Sequence, residues 1–170
     1  TEDVDQAVIK DSEYLLVEGY LVTSEETKNV ASYSLDIATA HGVKKIITLS
    51  DPNVVKFFRD NILELLDKSF DMIFCNKQEA LNISMSNNIN DAIDFLKKYA
   101  HEIIITCVED GAYVTIGDEK AHEMPDRVKP IDLTGAGDMF LAAYIFAKVS
   151  NKMLTCLLYT SPSPRDSASS

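Results

Sequence analysis

The sequence lacks three features that would assign it to common classes of protein: long apolar runs, paired cysteines and an excess of positive charge. No apolar run approaches the ~20 residues that a membrane-spanning helix needs. The formal net charge of −11 over 170 residues argues against a nucleic acid or an anionic membrane surface as the main partner. The three cysteines, Cys75, Cys107 and Cys156, contain no C-x-x-C pair, so we expect reduced thiols and a cytoplasmic protein.

Both ends of the sequence differ from those of a typical complete domain. No basic and apolar leader is visible, and the first residues already read as part of a helix. At the other end, Pro162 and Pro164 stand in a serine-rich stretch that offers little to bury. We therefore expect a partial domain over residues 1–153, truncated at both ends, and a disordered, non-native tail over residues 154–170.

Between these ends, short β-branched runs alternate with longer amphipathic stretches. This alternation predicts a three-layer, doubly wound α/β fold, in which helices lie on both faces of a mostly parallel sheet. A late β-hairpin with the turn Gly117-Asp118 follows the alternating part. Ser24 and Asp51 are the expected N-caps of the first two helices. The predicted strands span residues 14–18, 45–49, 71–75 and 103–107, the hairpin strands 112–116 and 120–124, and the helices 25–41, 51–66 and 90–99.

The most informative motif is the string Asp132-Leu133-Thr134-Gly135-Ala136-Gly137-Asp138-Met139-Phe140, which precedes an apolar segment. That segment, residues 139–149, predicts a buried helix. Gly135, Ala136 and Gly137 leave the backbone unobstructed, so their amides at a helix N-terminus would bind a phosphate or an oxyanion. Asp138 could accept the proton of a hydroxyl that attacks the phosphate, which is the chemistry of a kinase. In isolation, the same residues would more simply form a turn in which Asp138 stabilises the first helical turn.

The whole string resembles the signature of the PfkB (ribokinase) family of carbohydrate and nucleoside kinases, commonly written Asp-Thr-Thr-Gly-Ala-Gly-Asp-x-Phe. Leu133 stands where Thr is usual. The resemblance covers roughly residues 13–150, the C-terminal half of such a kinase, and is closest to adenosine-kinase-like members. It implies a ribokinase-like fold and phosphorylation of a hydroxymethyl group of a nucleoside or sugar, with ATP and Mg²⁺ as cofactors. Four further segments also resemble the family: Glu18-Gly19-Tyr20-Leu21, Thr48-Leu49-Ser50-Asp51, Asn76-Lys77-Gln78-Glu79 and Thr106-Cys107-Val108-Glu109-Asp110-Gly111.

The resemblance implies roles for the residues of the long string. Asp138 would be the general base, and the amides of the Gly-Ala-Gly turn would stabilise the charge that develops on the transferred phosphoryl group. Asp132 and Thr134 match positions that in many relatives help to bind a monovalent cation, so K⁺ is a further expected cofactor, and Thr134 is expected at the nucleotide site.

Asn76 and Glu79 follow the third predicted strand, at the edge of the sheet where parallel α/β folds bind their ligands. They match the Asn-x-x-Glu element of the family, which acts near the Mg²⁺–phosphate assembly. Oxygen donors acting through water suit Mg²⁺, and the resemblance places Glu79 in that role. The alternative is a capping box, in which Asn76 is the N-cap of a helix and Glu79 its third residue.

Thr106 and Gly111 match the loop that in relatives reads Thr-x-Gly-x-x-Gly and contacts ATP. Val108 occupies the position of the middle glycine, so we expect a contact from Thr106 and none from the backbone of Val108. The alternative is a plain connection between two strands.

Two other interpretations stay open. A Rossmann-type oxidoreductase would use Gly135 and Gly137, but Phe140 stands where its third glycine belongs and the motif comes late in the chain. A truncated remnant would keep the kinase fold without activity, and we expect this fragment itself to be inactive. For the parent kinase, which would be a monomer or a homodimer, we expect a small-molecule partner: adenosine, with ribose and fructose phosphate as rivals.

Overall fold

The computed structural model of the chain describes residues 4–124 and 135–150. Six strands in these residues form one sheet in the order β1-β2-β3-β4-β5-β6. Strands β1 to β4 are parallel, and β5 and β6 continue the sheet as an antiparallel hairpin. The strands are β1 (Tyr14–Glu18), β2 (Lys44–Thr48), β3 (Phe70–Asn76), β4 (Ala100–Thr106), β5 (Ala112–Ile116) and β6 (Glu119–Glu123).

Helices connect the parallel strands. The expected caps are present: the side chain of Ser24 accepts a hydrogen bond from the amide of Thr27, and that of Asp51 accepts from Asn53 and Val54. The helices are α1 (Gln6–Lys10), α2 (Glu25–His41), α3 (Pro52–Phe57), α4 (Arg59–Leu66), α5 (Lys77–Ser84), α6 (Ile89–Leu96) and α7 (Ala136–Val149), with 3₁₀ turns at Gly19–Thr23 and Val108–Asp110.

Helices pack on both faces of the sheet. Helices α2 to α6 bury one face in a core that includes Leu35, Leu65 and Ile73, while α1 packs against α2 in a separate small cluster. Helix α7 covers the opposite face in a second core, where Leu141, Tyr144 and Ala147 pack with the sheet residues Ile46, Met72, Phe74 and Ile104. The predicted three-layer, mostly parallel α/β fold with a late hairpin is confirmed.

One predicted helix, residues 51–66, is instead the pair α3 and α4. Phe58 leaves helical geometry between them, with φ −119° and ψ 28°, and its side chain is partly buried against the core. Directly after the break, Nε of Arg59 donates to the carbonyl oxygen of Ile83 at 2.9 Å. Because these two residues are distant in sequence, the pattern of apolar residues over 51–66 could not show this contact.

The expectation that residues 139–149 form a buried helix is wrong in part. Helix α7 begins earlier, at Ala136, and only one side of it faces the sheet. On its outer side Met139 is 53% exposed and Phe146 is 74% exposed. In the described ranges, no helix is both long enough and apolar enough to cross a membrane.

Candidate active site

The N-terminus of α7 presents backbone donors that have no partner among the described residues. Gly135 precedes the helix with φ 74°, a left-handed conformation that glycine adopts without strain. The first intrahelical hydrogen bond runs from the amide of Met139 to the carbonyl oxygen of Gly135 at 3.0 Å. The amides of residues 136–138 therefore have no acceptor within the helix, and no side chain in the described part of the chain caps it. A phosphate or an oxyanion fits such a helix end.

The first turn of α7 lies near the carboxyl end of β3. A Cβ atom added to Gly137 would lie 3.8 Å from Cε1 of Phe74, and the rings of Phe74 and Phe140 stack with centroids 5.9 Å apart. Phe74 precedes Asn76, the last residue of β3, by two positions. Asp138 is exposed in this turn, so its carboxylate is available to a ligand at the sheet edge. The same position in the first helical turn also lets it stabilise the helix dipole.

Asn76 and Glu79 form a complete capping box at the start of α5. Oδ1 of Asn76 accepts from the amide of Glu79 at 2.9 Å, and the amide of Asn76 donates to Oε2 of Glu79 at 2.9 Å. Nδ2 of Asn76 donates to Oε1 of Glu79 at 2.6 Å. The capping role considered from the sequence is thus present, and both oxygens of the carboxylate already accept a hydrogen bond.

Burial changes the chemistry of Glu79. The residue is only 4% exposed, and this desolvation raises the pKa of its carboxyl group to about 7. The hydrogen bond from the backbone of Asn76 lowers the pKa, and the negative charge of Asp51 raises it further. A carboxyl group with this pKa exchanges its proton near neutral pH.

The carboxylate oxygens at this edge suit a Mg²⁺ ion that keeps its waters better than one bound directly by side chains. Within residues 4–124 and 135–150, no group of three or more His, Cys, Asp and Glu side chains could hold a metal ion. Each oxygen of Glu79 keeps lone pairs beyond the one that it uses in the capping box, so it can accept from a metal-bound water. Mg²⁺ ordinarily keeps several waters and is held by phosphates together with one or two carboxylates. Asp132 and Thr134, the residues expected to bind a monovalent cation, lie outside the described residues.

Thr106 and Gly111 border the connection between β4 and β5. Thr106 ends β4 opposite Asn76 of β3. Gly111 has φ 77°, and a Cβ atom there would lie 1.8 Å from the carbonyl oxygen of Glu123. Close backbone packing by itself therefore accounts for this glycine, which is the alternative considered from the sequence. Val108 has φ 44° and is 65% exposed.

One contact at this edge involves residues that the sequence did not single out. Nζ of Lys77, the first residue of α5, lies 2.7 Å from Oδ2 of Asp110 in the turn after β4. The carbonyl oxygen of Asp110 is 2.7 Å from Nε2 of His122, whose ring stacks on Tyr113. No local pattern signals this pair, since it joins the start of α5 to the turn after β4, 33 positions along the chain. It ties the helix that contains Glu79 to the loop that contains Gly111.

The structure thus brings most of the candidate residues that it describes to one edge of the sheet. Asn76 and Thr106 are paired in register, and Glu79 is bonded to Asn76. Gly137 lies over Phe74, two positions upstream. Gly111 is linked to this group through the hydrogen bond from the amide of Cys107 to its carbonyl oxygen, at 2.7 Å.

Comparison with known proteins identifies a family and a fold. The profile of the pfkB family carbohydrate kinases matches residues 1–158. A ribokinase from Staphylococcus aureus (strain COL) is 27% identical over 118 residues, which are 66% of this chain and 36% of the ribokinase. The crystal structure of adenosine kinase from Sinorhizobium meliloti superposes with a TM-score of 0.86 at 30% identity, covering 94% of this chain and 50% of that one.

A third relative shows the same fold at lower identity. A protein from E. coli assigned as a ribokinase II, solved in complex with ATP and Mg²⁺, has a TM-score of 0.84 at 22% identity and covers 94% of this chain and 53% of that one. These superpositions confirm the ribokinase-like α/β fold. The chain spans about half the length of the solved relatives and a smaller part of the ribokinase.

Proposed function

Because this chain belongs to the pfkB family of carbohydrate kinases, we propose that the protein that carries it transfers the γ-phosphoryl group of ATP to a hydroxymethyl group of a nucleoside or a sugar. The observation that carries this proposal is the N-terminus of α7, where helix-end amides and an exposed carboxylate lie near the carboxyl end of β3. ATP supplies the phosphoryl group. The residues of this chain supply charge stabilisation, a base and part of the cation site.

Phosphoryl transfer requires an acceptor hydroxyl in line with the phosphoryl group, a base for its proton, and donors for the charge that develops. Asp138 is our candidate for the base, since it is exposed in the first turn of α7. The amides of the turn Gly135-Ala136-Gly137 are our candidates for the donors. Those of Ala136 and Gly137 lie in the first turn of α7 and are fixed there before the reaction begins. Thr106 and Gly111 are the candidates for contacts with the nucleotide.

Mg²⁺ would neutralise the charge of the phosphates. Glu79 would hold it through water, because its oxygens are committed to the capping box and yet retain lone pairs. Asn76 would orient Glu79 through the same hydrogen bonds. A monovalent cation at Asp132, with Thr134 close to the nucleotide, stays a prediction from the family resemblance.

Adenosine is the acceptor that we propose first, because the adenosine kinase of S. meliloti is 30% identical to this chain. Ribose is the next candidate, given the similarity to a ribokinase, and fructose 6-phosphate is a third. The dinucleotide-binding alternative requires its glycines at a different place in the chain. It needs its glycines after the first strand, whereas Gly135 and Gly137 follow β6 in the chain.

The test is the substitution Asp138→Asn in the full-length protein. General-base removal lowers kcat by ~10²-fold or more, while the affinity for ATP should stay largely intact. ADP formation is measured with adenosine, ribose and fructose 6-phosphate as acceptors, and ATP binding by calorimetry. Asp36→Asn, an exposed carboxylate on α2, is the matched control and should keep full turnover. If Asp138→Asn turns over within a few-fold of the unmodified protein, Asp138 is not the base.

A further inference from the structure

Helix α7 offers few features that would fix its position on the sheet. Asp138 and Lys148 are the only charged residues between Ala136 and Val149. Most of the side chains through which α7 contacts the sheet are apolar, such as Leu141 and Ala147. Apolar contacts are non-directional, and cores that are filled only by suitable volumes lose uniqueness before they lose stability. A purely apolar α7 could therefore rotate or slide at little cost.

A buried polar cluster interrupts this apolar contact. Glu102 on β4 is 4% exposed and faces α7. Its Oε1 accepts from the hydroxyl of Tyr144 at 2.5 Å, and its Oε2 accepts from Nζ of Lys148. Tyr144 is fully buried, and burial together with the adjacent negative charge of Glu102 raises the pKa of its hydroxyl far above the usual range. The phenol therefore stays neutral and donates.

The geometry of the cluster defines one position of the helix. Tyr144 and Lys148 are four residues apart, so they lie on the same side of α7, one turn from each other. Both oxygens of a single carboxylate are engaged, which constrains the rotation of the helix and its position along its axis. Any other position would leave the hydroxyl of Tyr144 or the carboxylate of Glu102 buried without a partner, a state that native proteins avoid.

Stability alone does not explain such a cluster. Replacing a buried ion pair by well-packed apolar residues is often neutral or stabilising, because desolvation of the charges offsets their attraction. The best-documented benefit of buried polar groups is that they select one arrangement among several. We propose that Glu102, acting through Tyr144 and Lys148, is a positioning residue that fixes the register of α7 and thereby places Asp138 and the amides of residues 136–138 at the sheet edge. The catalytic part of this inference rests on the proposed function.

The test replaces both partners of the buried hydrogen bond in the full-length protein, with Glu102→Met and Tyr144→Phe together. The double variant leaves no buried polar atom of the Glu102–Tyr144 pair unpaired, and Lys148, whose side chain is 29% exposed, can turn its ammonium group to water. Its thermal midpoint should therefore be equal to or higher than that of the unmodified protein. Its kcat should nevertheless fall by ~10-fold or more, because small displacements of catalytic groups are costly to turnover, with a smaller change in the KM for ATP. Glu102→Gln, which keeps an acceptor for Tyr144, should restore most of kcat. Asp36→Asn is the control for an exposed ion pair.

Amide hydrogen exchange gives a readout that does not depend on kinase activity. In the double variant, residues 139–145 should exchange faster than in the unmodified protein, while α2 should be unchanged. If the unmodified protein shows no phosphoryl transfer, the proposed function fails, and the exchange of α7 alone decides the positioning role. The inference is overturned if kcat and exchange are both unchanged, or if the midpoint falls in step with kcat, which would show an ordinary stabilising contact.

Discussion

Glu79 is a buried carboxylate whose two oxygens complete the capping box of α5. Burial raises its pKa from the ordinary 4.5 to about 7, so the folded protein holds this proton more tightly than the unfolded chain does. Between these two pKa values the folded state binds more protons, and the contribution of Glu79 to stability is therefore lost as the pH rises. The loss is about 3 kcal/mol by pH 8.

The substitution Glu79→Gln removes this titration. We expect the free energy of unfolding of the variant to increase relative to that of the unmodified protein between pH 5 and pH 8, because only the unmodified protein loses stability as Glu79 ionises. Urea unfolding at several pH values measures the difference. Glu64→Gln is the control, because Glu64 has a side chain that is 67% exposed and its removal should leave the pH profile unchanged. Parallel profiles for Glu79→Gln and the unmodified protein would contradict the prediction.

The same substitution separates the two roles considered for Glu79. If Glu79 holds Mg²⁺ through water, Glu79→Gln should raise the Mg²⁺ concentration for the half-maximal rate more than it raises the KM of the acceptor, since Gln carries no charge. The measurement is a Mg²⁺ titration of the rate at saturating ATP and acceptor. An unchanged Mg²⁺ dependence with altered stability alone would leave Glu79 as a helix cap.

At the scale of elements, the connection from β4 through the hairpin depends on Gly111. Alanine at this position would meet the carbonyl oxygen of Glu123 on β6 and would need a φ of 77°. We expect Gly111→Ala to destabilise the protein by about 2–3 kcal/mol or more, since backbone must move as well as adopt a strained conformation. Gly42→Ala is the matched control: Gly42 has φ 70° and open space around its Cα atom, so only about 1–2 kcal/mol is expected.

Thermal and urea unfolding compare the two glycine variants. A loss at Gly111 no larger than at Gly42 would show that the hairpin adjusts freely to the added methyl group. If ATP is bound at this loop, Gly111→Ala should also weaken ATP binding, whereas Gly42→Ala, at the C-terminus of α2, should not.

The elements that the sequence predicted well are those that local chemistry defines. Helix α2 spans the predicted residues 25–41, with Ser24 as its N-cap, because a cap acts on its own helix. The break at Phe58 was missed, and the contact that directly follows it, from Arg59 to Ile83, joins residues far apart in the chain. Helix α5 was missed as an element, although its capping box was considered as an alternative. The cluster of Glu102 with α7 joins residues more than 40 positions apart, and no local pattern in the sequence signals it.

At the scale of the whole molecule, the described residues contain part of the proposed phosphoryl-transfer site and little that could enclose an acceptor. One cavity, of about 180 Å³, lies between α6 and the hairpin and is lined by residues such as Asn90, Tyr113 and His122. It is smaller than the ~300–1,000 Å³ of small-molecule sites, and none of the candidate site residues lines it. The outer side of α7 also exposes large apolar side chains, including Phe146. Surfaces of this kind mark interaction sites or a tendency to aggregate.

We therefore expect the 170-residue chain on its own to show no acceptor-dependent kinase activity, even where the full-length protein is a competent kinase. A bound ATP would have no positioned hydroxyl to attack it and no closed site to exclude water. The measurement is ADP formation by the purified chain with adenosine, ribose and fructose 6-phosphate, beside a version that ends at Lys152. S. meliloti adenosine kinase with adenosine is the positive control, and the Asp138→Asn chain sets the background. Acceptor-dependent turnover at ~1 s⁻¹ or faster, a rate typical of enzymes, would show that about half of the length of the solved relatives is enough for catalysis.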